Sequence, residues 1–411
     1  VRVVLIGPEV PDASISIARS KMKEYKLEDI CSDIFAGGDA KKLKITQEKN
    51  SINRIPVYAN SVDKDGLYGY CQTPIVLKPA VTVAARGSGT GFVAYRKEPF
   101  VPIVRLITLI TKNNVDIQFL YYNLKNRNLK GDGSAIPQIT IPMIKKEIVS
   151  IPNIHIQRKI SGILSSLDNK IELNHRINEN LEQQAQALFK SWFIDFEPFK
   201  DGKFVDSELG MIPEGWRVGY YTELVDIKGG GTPKTNIKEF WNGSIPFFSP
   251  KDIGPSCFVL NTEKYITTNG LENCNSNLFP PYSVFITARG TVGKVVMVGS
   301  EMAMNQSNYA LLGKQNISQF YVYLITLQLV SHLLKKANGA VFNAITTRDF
   351  ASERIIIPFY SIIKSFSSIV KPIYENILLN EFQIKSLSQL RDTFLPRLMS
   401  GELEIKDNSY D

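Results

Sequence analysis

Apolar residues recur at spacings of three and four along two long segments of the chain. The repeating positions run over residues 164–192 and again over residues 370–398. This spacing places the apolar side chains on one stripe of an α-helix, as in the seam of a coiled coil. Pro152 and Pro358 stand just ahead of the two patterns, where proline is compatible with a helix start. Each pattern predicts a helix of about 40 residues, which is roughly 60 Å long at 1.5 Å per residue.

The two predicted helices are expected to pack on each other in antiparallel orientation, because a helix with a single apolar stripe is not stable alone. Asn174 and Asn380 fall at equivalent places on the two seams. Either they are buried between the helices, where they would fix the register at some cost in stability, or they lie at the wet edge of the seam. Pro396 is expected to end or kink the second helix.

The segments ahead of each helix predict β-structure. They are rich in glycine, proline and aromatic residues, and they contain short apolar runs between turn signals. VTVAA (residues 81–85) and SVFITA (residues 283–288) are two such runs. Runs of this kind between glycine- and proline-bearing turns are typical of strands joined by loops.

The chain contains an internal repeat. Residues 133–181 align with residues 339–387 at a constant offset, without a gap. Farther upstream the offset drifts, yet AARGSGTG around Arg86 still matches TARGTVG around Arg289. Chance similarity is the alternative, and the gap-free register disfavours it. We therefore predict an α+β chain with two similar β-rich domains, separated by two long antiparallel coiled-coil helices and related by an internal pseudo-two-fold repeat.

These patterns also predict the domain boundaries. Met22 opens a more natural start than Val1, so the residues before it are expected to be a tail or extension. The predicted segments are residues 1–21 as the N-terminal tail, 22–152 as the first β-rich domain, 153–198 as the first helix, 199–357 as a linker with the second β-rich domain, 358–400 as the second helix and 401–411 as the C-terminal tail.

The composition gives the chain a positive net charge and disfavours metal sites, disulfides and membrane-spanning helices. The formal net charge is +8, which permits a polyanionic partner without proving one. The four cysteines and three histidines have no zinc-ligand spacing and suggest no disulfide framework, so we expect no metal, no cofactor and a reducing cytoplasm. No run of about 18 uncharged apolar residues occurs, so no membrane partner is expected.

Several longer motifs follow one another in a fixed order. They are LGMIPEGW (209–216), GGGTPKT (229–235), IPFFSPKDI (245–253), ITARGTVGKV (286–295), NAITTRDF (343–350) and LRDTFLPRLMSGEL (390–403). On these motifs the chain resembles the specificity (S) subunit of type I restriction–modification enzymes. Residues 166–196 look like the central spacer helix of that family.

The resemblance implies a non-catalytic recognition subunit. Each of two target recognition domains would read one half of a bipartite, asymmetric site in double-stranded DNA. The helices would set the unread gap and dock two methyltransferase (M) subunits, and restriction (R) subunits would join that core.

The duplicated Arg-Gly stretches are the first candidates for DNA contact. Glycine permits close backbone approach, and small hydroxyl groups can hold a phosphate. Arginine or lysine can add phosphate charge or a bidentate guanine contact. The alternative is a tight hairpin whose arginine braces the fold. The candidate residues in these stretches are Arg86, Ser88, Thr90, Arg289, Thr291 and Lys294.

Other polar loop residues are weaker candidates, because exposed tyrosines and lysines often do nothing specific. Gln138 and Asn343 sit at equivalent places and would either read adenine or cap turns. The remaining candidates are Tyr58, Lys64, Tyr68, Lys234, Thr235, Ser249 and Lys251. Apolar residues on the helix flanks would either dock the protein partner or seal the junction inside the chain, and these are Phe189, Trp192, Phe193, Phe394 and Leu395.

Two rival functions belong to other classes. FAGGD (35–39) and LFPPYSV (278–284) look like fragments of a DNA adenine methyltransferase. However, Phe279 stands where an Asn or Asp would have to accept from the adenine amino group, and the fragments fall on different repeat copies. A coiled-coil scaffold that does not bind DNA is the other alternative, and the basic charge and loop-rich domains disfavour it.

Overall fold

The computed structural model describes residues 15–16, 22–127, 129–131, 138–336 and 344–405. It divides into two units, one formed by residues 1–170 with 387–411 and the other by residues 171–386. Each unit is described by itself below. The α-helices of the described residues are α1 (Leu27–Ile30), α2 (Ile117–Lys125), α3 (Ile141–Lys146), α4 (Ile154–Phe193), α5 (Tyr221–Leu224), α6 (Thr268–Glu272), α7 (Gln319–Lys336), α8 (Thr347–Ser352) and α9 (Tyr360–Met399).

The strands of the described residues are short, and all except the last, β23, lie ahead of one of the two long helices. In chain order they are β1 (Ile15–Ser16), β2 (Lys23–Lys26), β3 (Cys31–Ala36), β4 (Ile55–Tyr58), β5 (Leu67–Cys71), β6 (Ala80–Val83), β7 (Val93–Arg96), β8 (Val101–Pro102), β9 (Ile107–Thr111), β10 (Ile148–Ile151), β11 (Phe204–Val205), β12 (Ile212–Pro213), β13 (Arg217–Tyr220), β14 (Val225–Gly229), β15 (Trp241–Phe248), β16 (Phe258–Val259), β17 (Lys264–Ile266), β18 (Val284–Thr287), β19 (Val295–Val298), β20 (Ala303–Met304), β21 (Asn308–Gly313), β22 (Arg354–Ile357) and β23 (Glu404–Ile405).

The first unit contains an antiparallel sheet in the order β3-β9-β6-β7 and a smaller sheet in the order β5-β4-β8. In the smaller sheet β4 pairs with β8 in parallel. Strand β2 pairs with β10, directly ahead of α4, and β1 pairs with β23. Side chains from the larger sheet pack with those of α2, α4 and α9 in one core that includes Leu109, Phe119, Leu164 and Leu398.

The second unit repeats this topology. Its main sheet has the order β14-β21-β18-β19 with β16 added in parallel at the edge, and its smaller sheet has the order β17-β15-β20. Strands β15 and β20 are parallel, as β4 and β8 are, and β13 pairs with β22 directly ahead of α9. The predicted α+β class with a duplicated β-rich domain is therefore confirmed.

The two long helices each have 40 residues and begin two residues after Pro152 and Pro358. Of the two effects expected of Pro396, the helix end is wrong, because α9 continues to Met399. Proline in a helix interior removes one backbone hydrogen bond. The neighbouring Leu395, Leu398 and Met399 are buried in the core of the first unit, and this packing holds the last turn in place.

The helices pack against each other in antiparallel orientation in the second unit. The Asn174 side-chain amide donates to Gln383 Oε1 at 3.2 Å, and the Asn178 amide donates to Glu381 Oε1 at 2.9 Å. Asn174 is fully buried, so the first of its two interpretations holds. Asn380 is half-buried and donates to Asn178 Oδ1 at 2.8 Å.

Helix α4 also contacts α9 in the first unit. Arg391 Nη1 donates to Asp168 Oδ1 at 2.8 Å, and the Tyr122 hydroxyl donates to Asp168 Oδ2 at 2.8 Å. A carboxylate that accepts bonds from a cation and a hydroxyl is a charge-assisted network, which is stronger than a pair of neutral bonds. This network ties both helices to α2 of the β-rich domain.

Candidate nucleic-acid interface

The two Arg-Gly stretches form equivalent hairpin turns, one between β6 and β7 and the other between β18 and β19. In the first turn the Gly91 amide donates to the Ala84 carbonyl at 2.9 Å. In the second turn the Gly293 amide donates to the Thr287 carbonyl at 2.9 Å. The sequence repeat thus corresponds to one backbone structure built twice.

The glycines in these turns adopt backbone angles that other residues disfavour. Gly87 and Gly91 have φ of +85° and +88°, and Gly290 and Gly293 have φ of +79° and +83°. Gly91 is constrained further, because a Cβ at this position would lie 2.2 Å from the Leu129 carbonyl oxygen. The turn therefore requires glycine for both conformation and space.

The two arginines have different surroundings. Arg289 is exposed at the rim of a cleft in the second unit. Arg86 is only half-exposed, and its Nε atom is buried without a hydrogen-bond partner. The neighbouring Ala85 amide donates to Asn60 Oδ1 at 2.8 Å, which fixes the first turn to the loop after β4.

The cleft beside Arg289 has a volume of about 480 Å³ and brings together several predicted residues from separate loops. Lys251, Lys264 and Arg289 supply three cations against one carboxylate, Glu263, so the cleft attracts anions. The predicted residues that line it are Thr235, Ser249, Lys251 and Arg289.

Sequence reasoning missed other residues of the cleft. Thr232 lies just before the predicted Lys234, and Gln306 lies in the polar run NQSN (305–308) between two apolar strands. This polar run between strands is the sequence feature from which Gln306 could have been predicted. Lys264 was also missed, and its ammonium lies 5.6 Å from the centre of the Trp241 ring.

Three predicted residues of the second unit lie elsewhere or are engaged within the fold. Thr291 and Lys294 are exposed and line a separate cavity of about 390 Å³ with Glu182 and Tyr323. The Ser249 hydroxyl is engaged by Asp252, to which it donates at 2.8 Å. The structure therefore does not bring Thr291 and Lys294 into the Arg289 cleft.

Lys234 is exposed, and its carbonyl accepts from Trp241 Nε1 at 3.2 Å. This bond fixes the backbone after the glycine tract and leaves the ammonium in solvent.

Burial around Cys257, near the second cavity, raises the pKa of that thiol well above its ordinary value. The raised pKa keeps this thiol in its neutral, less reactive form.

In the first unit the predicted tyrosines differ in exposure. Tyr58 is half-buried, with the Arg96 guanidinium 3.7 Å above its ring. Burial raises the pKa of Tyr58 and lowers the pKa of Arg96, and each group offsets part of the other's shift. Arg96 also donates to the Asp65 carbonyl at 2.6 Å, which holds the turn that exposes Lys64. Tyr68 is 48% exposed.

The remaining candidates of the first unit lie on the hairpin and beyond it. Ser88 is exposed, whereas the Thr90 hydroxyl donates to the Gly87 carbonyl at 2.7 Å. Gln138 is half-exposed, and the Ile139 amide beside it donates to the Ala85 carbonyl at 2.8 Å. Asn343 lies outside the described residues.

The apolar residues considered for partner docking are mostly inside the chain. Phe189 and Phe193 are 5% and 8% exposed and pack in the core of the second unit. Leu395 is 8% exposed in the core of the first unit. Trp192 and Phe394 are partly buried against those same cores. Phe189, Phe193 and Leu395 therefore follow the alternative interpretation, in which they seal the junction between helix and β-rich domain.

The described residues contain no group of three or more histidine, cysteine, aspartate or glutamate side chains placed to bind a metal ion. Phe279, which stood against the methyltransferase alternative, is 2% exposed in a core of the second unit. Across the same part of the chain, no helix is both long enough and apolar enough to span a bilayer.

Comparison with known proteins gives a consistent result. The type I restriction modification DNA specificity domain matches residues 19–183 and again residues 213–389, which together exceed half of the chain. The type I restriction enzyme MjaIX specificity subunit of Methanocaldococcus jannaschii is 28% identical over 82% of this chain and 80% of its own length. The HindI specificity subunit of Haemophilus influenzae is 29% identical over 66% of this chain and 72% of its own.

The fold also has a solved counterpart. A crystal structure of a type I restriction–modification system S subunit from M. genitalium superposes with a TM-score of 0.63 at 16% identity. The match covers 94% of this chain and 97% of that one. At this level of identity the likeness concerns the fold alone.

Proposed function

The chain belongs to the type I restriction–modification DNA specificity family, and from that premise we propose that each of its two β-rich domains reads one half of a bipartite, asymmetric DNA site. As a specificity subunit it is the non-catalytic component of its complex. The single observation that carries the proposal is the duplicated Arg-Gly hairpin, held on the same sheet topology in both units.

The chemistry of the second unit supports DNA as the ligand. Its cleft combines an exposed guanidinium, two lysines and several hydroxyl and amide groups. Cations and hydroxyl groups contact phosphates, whereas guanidinium and amide groups can read base edges. The first unit offers a different set of side chains around its hairpin, as expected if the two half-sites have different sequences.

The experiment is an exchange of one domain. The chain is co-expressed with its methyltransferase subunits, and methylated positions are mapped by sequencing. Residues 213–350 are then replaced by the corresponding segment of a relative. The half-site read by the second unit should change and the other should stay the same. A chain whose two half-sites both change, or neither, would contradict the division of labour.

The helix pair is proposed to set the unread gap between the half-sites. Residues 171–177 and residues 381–387 lie opposite each other, because Asn174 contacts Gln383 and Asn178 contacts Glu381. Deleting both heptads removes roughly 10 Å of helix and leaves the seam rotated by only about 20°. The gap should shorten by about three base pairs at roughly 3.4 Å per base pair. A fixed gap with both half-sites retained would show that the helices do not set the spacing.

Partner docking is proposed for the helices as well. In the second unit Leu173, Leu379 and Phe382 are 47%, 47% and 42% exposed on α4 and α9. Exposed apolar residues on a packed helix pair suit a protein partner better than water. The proposed partners are two methyltransferase subunits, with restriction subunits joining the assembled core.

A further inference from the structure

Two glycines, Gly230 and Gly231, bring Thr232 against the turn that carries Gln306. The Gly231 amide donates to the Met304 carbonyl at 3.1 Å. A Cβ on Gly230 would lie 2.2 Å from the Asn305 carbonyl oxygen, and one on Gly231 would lie 2.5 Å from the Asn275 amide nitrogen. Only glycine allows the two backbones to approach this closely. As a result, the Thr232 hydroxyl donates a hydrogen bond to Gln306 Oε1.

The turn that carries Gln306 is held by bonds on both sides of it. The Asn305 amide donates to the Phe248 carbonyl at 2.9 Å. The Asn305 side-chain oxygen accepts from the Ser307 amide at 3.0 Å and from Asn308 Nδ2 at 2.6 Å. A turn closed by its own asparagine side chain has few alternative conformations. Gln306 is therefore displayed from a fixed backbone.

The same turn is bonded directly to the Arg-Gly hairpin. The Ser307 carbonyl accepts from the Ala288 amide at 2.8 Å and from the Arg289 amide at 3.2 Å. Gln306 and Arg289 thus stand on neighbouring backbone segments and line the same cleft. Both side chains are exposed there.

The hydrogen bond from Thr232 gives the Gln306 amide a defined orientation. A carbonyl oxygen has two lone pairs, so Oε1 can accept a second bond while Thr232 occupies the first. The Nε2 group keeps its two donors. An amide with one free acceptor and one free donor matches the N6 amino group and N7 of adenine in the major groove.

Resting on the proposed function, we infer that Gln306 reads an adenine in the half-site of the second unit and that Thr232 is its positioning residue. The GGGT tract then serves recognition through the backbone, because its glycines let Thr232 reach the amide. Arg289 contacts the neighbouring phosphate or base.

Methylation mapping on a plasmid library with randomised half-sites tests this assignment, using the chain with its methyltransferase subunits. Gln306→Ala should reduce discrimination at one adenine-containing position of one half-site by about 5- to 150-fold, the range of a single bidentate base contact. Thr232→Val should relax the same position to a smaller extent. Thr232→Ser keeps the hydroxyl, so its discrimination at that position should equal that of the unaltered chain. Gln328→Ala, at an exposed glutamine of α7 outside the cleft, is the matched control and should match the unaltered chain.

Three outcomes overturn the assignment. If Gln306→Ala kept full base discrimination at every position, Gln306 would not read a base. An equal loss of methylation at all sequences would indicate a phosphate contact. A loss of discrimination at a guanine position would exclude adenine as the base that Gln306 reads. In each case the unaltered chain would still direct methylation at a two-part sequence, so the proposed function would stand. An unaltered chain that directs no sequence-dependent methylation would instead refute the proposed function itself.

Discussion

The Arg-Gly hairpin of the first unit makes a quantitative prediction about Gly91. Its φ of +88° costs an alanine roughly 1–2 kcal/mol. The new Cβ would also lie 2.2 Å from the Leu129 carbonyl oxygen, a backbone atom that cannot rotate away. Forcing such a group into a filled space costs about 1–3 kcal/mol more. Gly91→Ala should therefore destabilise the first unit by about 2–5 kcal/mol.

Gly87→Ala is the matched control. Gly87 has a similar φ of +85°, but a Cβ there would meet no atom within 4 Å. Only the conformational cost applies, so the two variants should differ by about 1–3 kcal/mol, or at least about 2 °C in Tm.

Calorimetry on the full chain measures this difference. All three tryptophans, Trp192, Trp216 and Trp241, belong to the second unit, so their fluorescence reports whether that unit is affected. Equal Tm values for the two alanine variants would refute the steric argument. A shift confined to the tryptophan signal would refute the assignment of the damage to the first unit.

Two further predictions concern charge and burial. Arg289→Ala should weaken DNA binding by the assembled complex by about 1–3 kcal/mol, whereas the control Lys364→Ala, at an exposed cation of α9, should leave binding unchanged. DNA titrations at several salt concentrations measure the affinity of each variant. Normal binding by both Arg289→Ala and Arg86→Ala would show that these arginines do not belong to the interface. Burial raises the pKa of Cys31 to about 12, so below that pH its thiol stays neutral in the folded chain and should react with iodoacetamide at pH 8.5 far more slowly than the half-exposed Cys274. The difference should vanish in urea, and peptide mass spectrometry measures it; equal rates in the folded chain would contradict the burial of Cys31.

Much of the fold was predictable because its signals are local. The three-and-four spacing of apolar residues over residues 164–192 and 370–398 predicted two long helices, since helical periodicity is set by neighbouring residues. The hairpins at Arg86 and Arg289 were predictable for the same reason, because a strand, a glycine turn and a second strand follow directly in the chain. The expectation that α9 ends at Pro396 was wrong, because tertiary packing of Leu395 and Leu398 outweighs the local helix-breaking preference of proline.

The candidate interface was predictable only in part. Thr235, Ser249, Lys251 and Arg289 converge on one cleft, yet Thr291 and Lys294, close to Arg289 in sequence, line another cavity. A hairpin turn points successive side chains in different directions, and spacing along the chain does not tell which direction faces a distant loop.

The sequence alone determined the duplication, the helical seams and the family, since each is written in residues near one another or in a repeated order. Only the tertiary structure decided which polar residues share a surface. Six strands of the chain, β15 to β20, lie between Thr232 and Gln306, and the two residues meet because β20 and the glycine tract pack side by side. The tertiary structure also decided that Phe189 and Phe193 are core residues, because burial depends on which distant side chains cover them and not on their own apolar character.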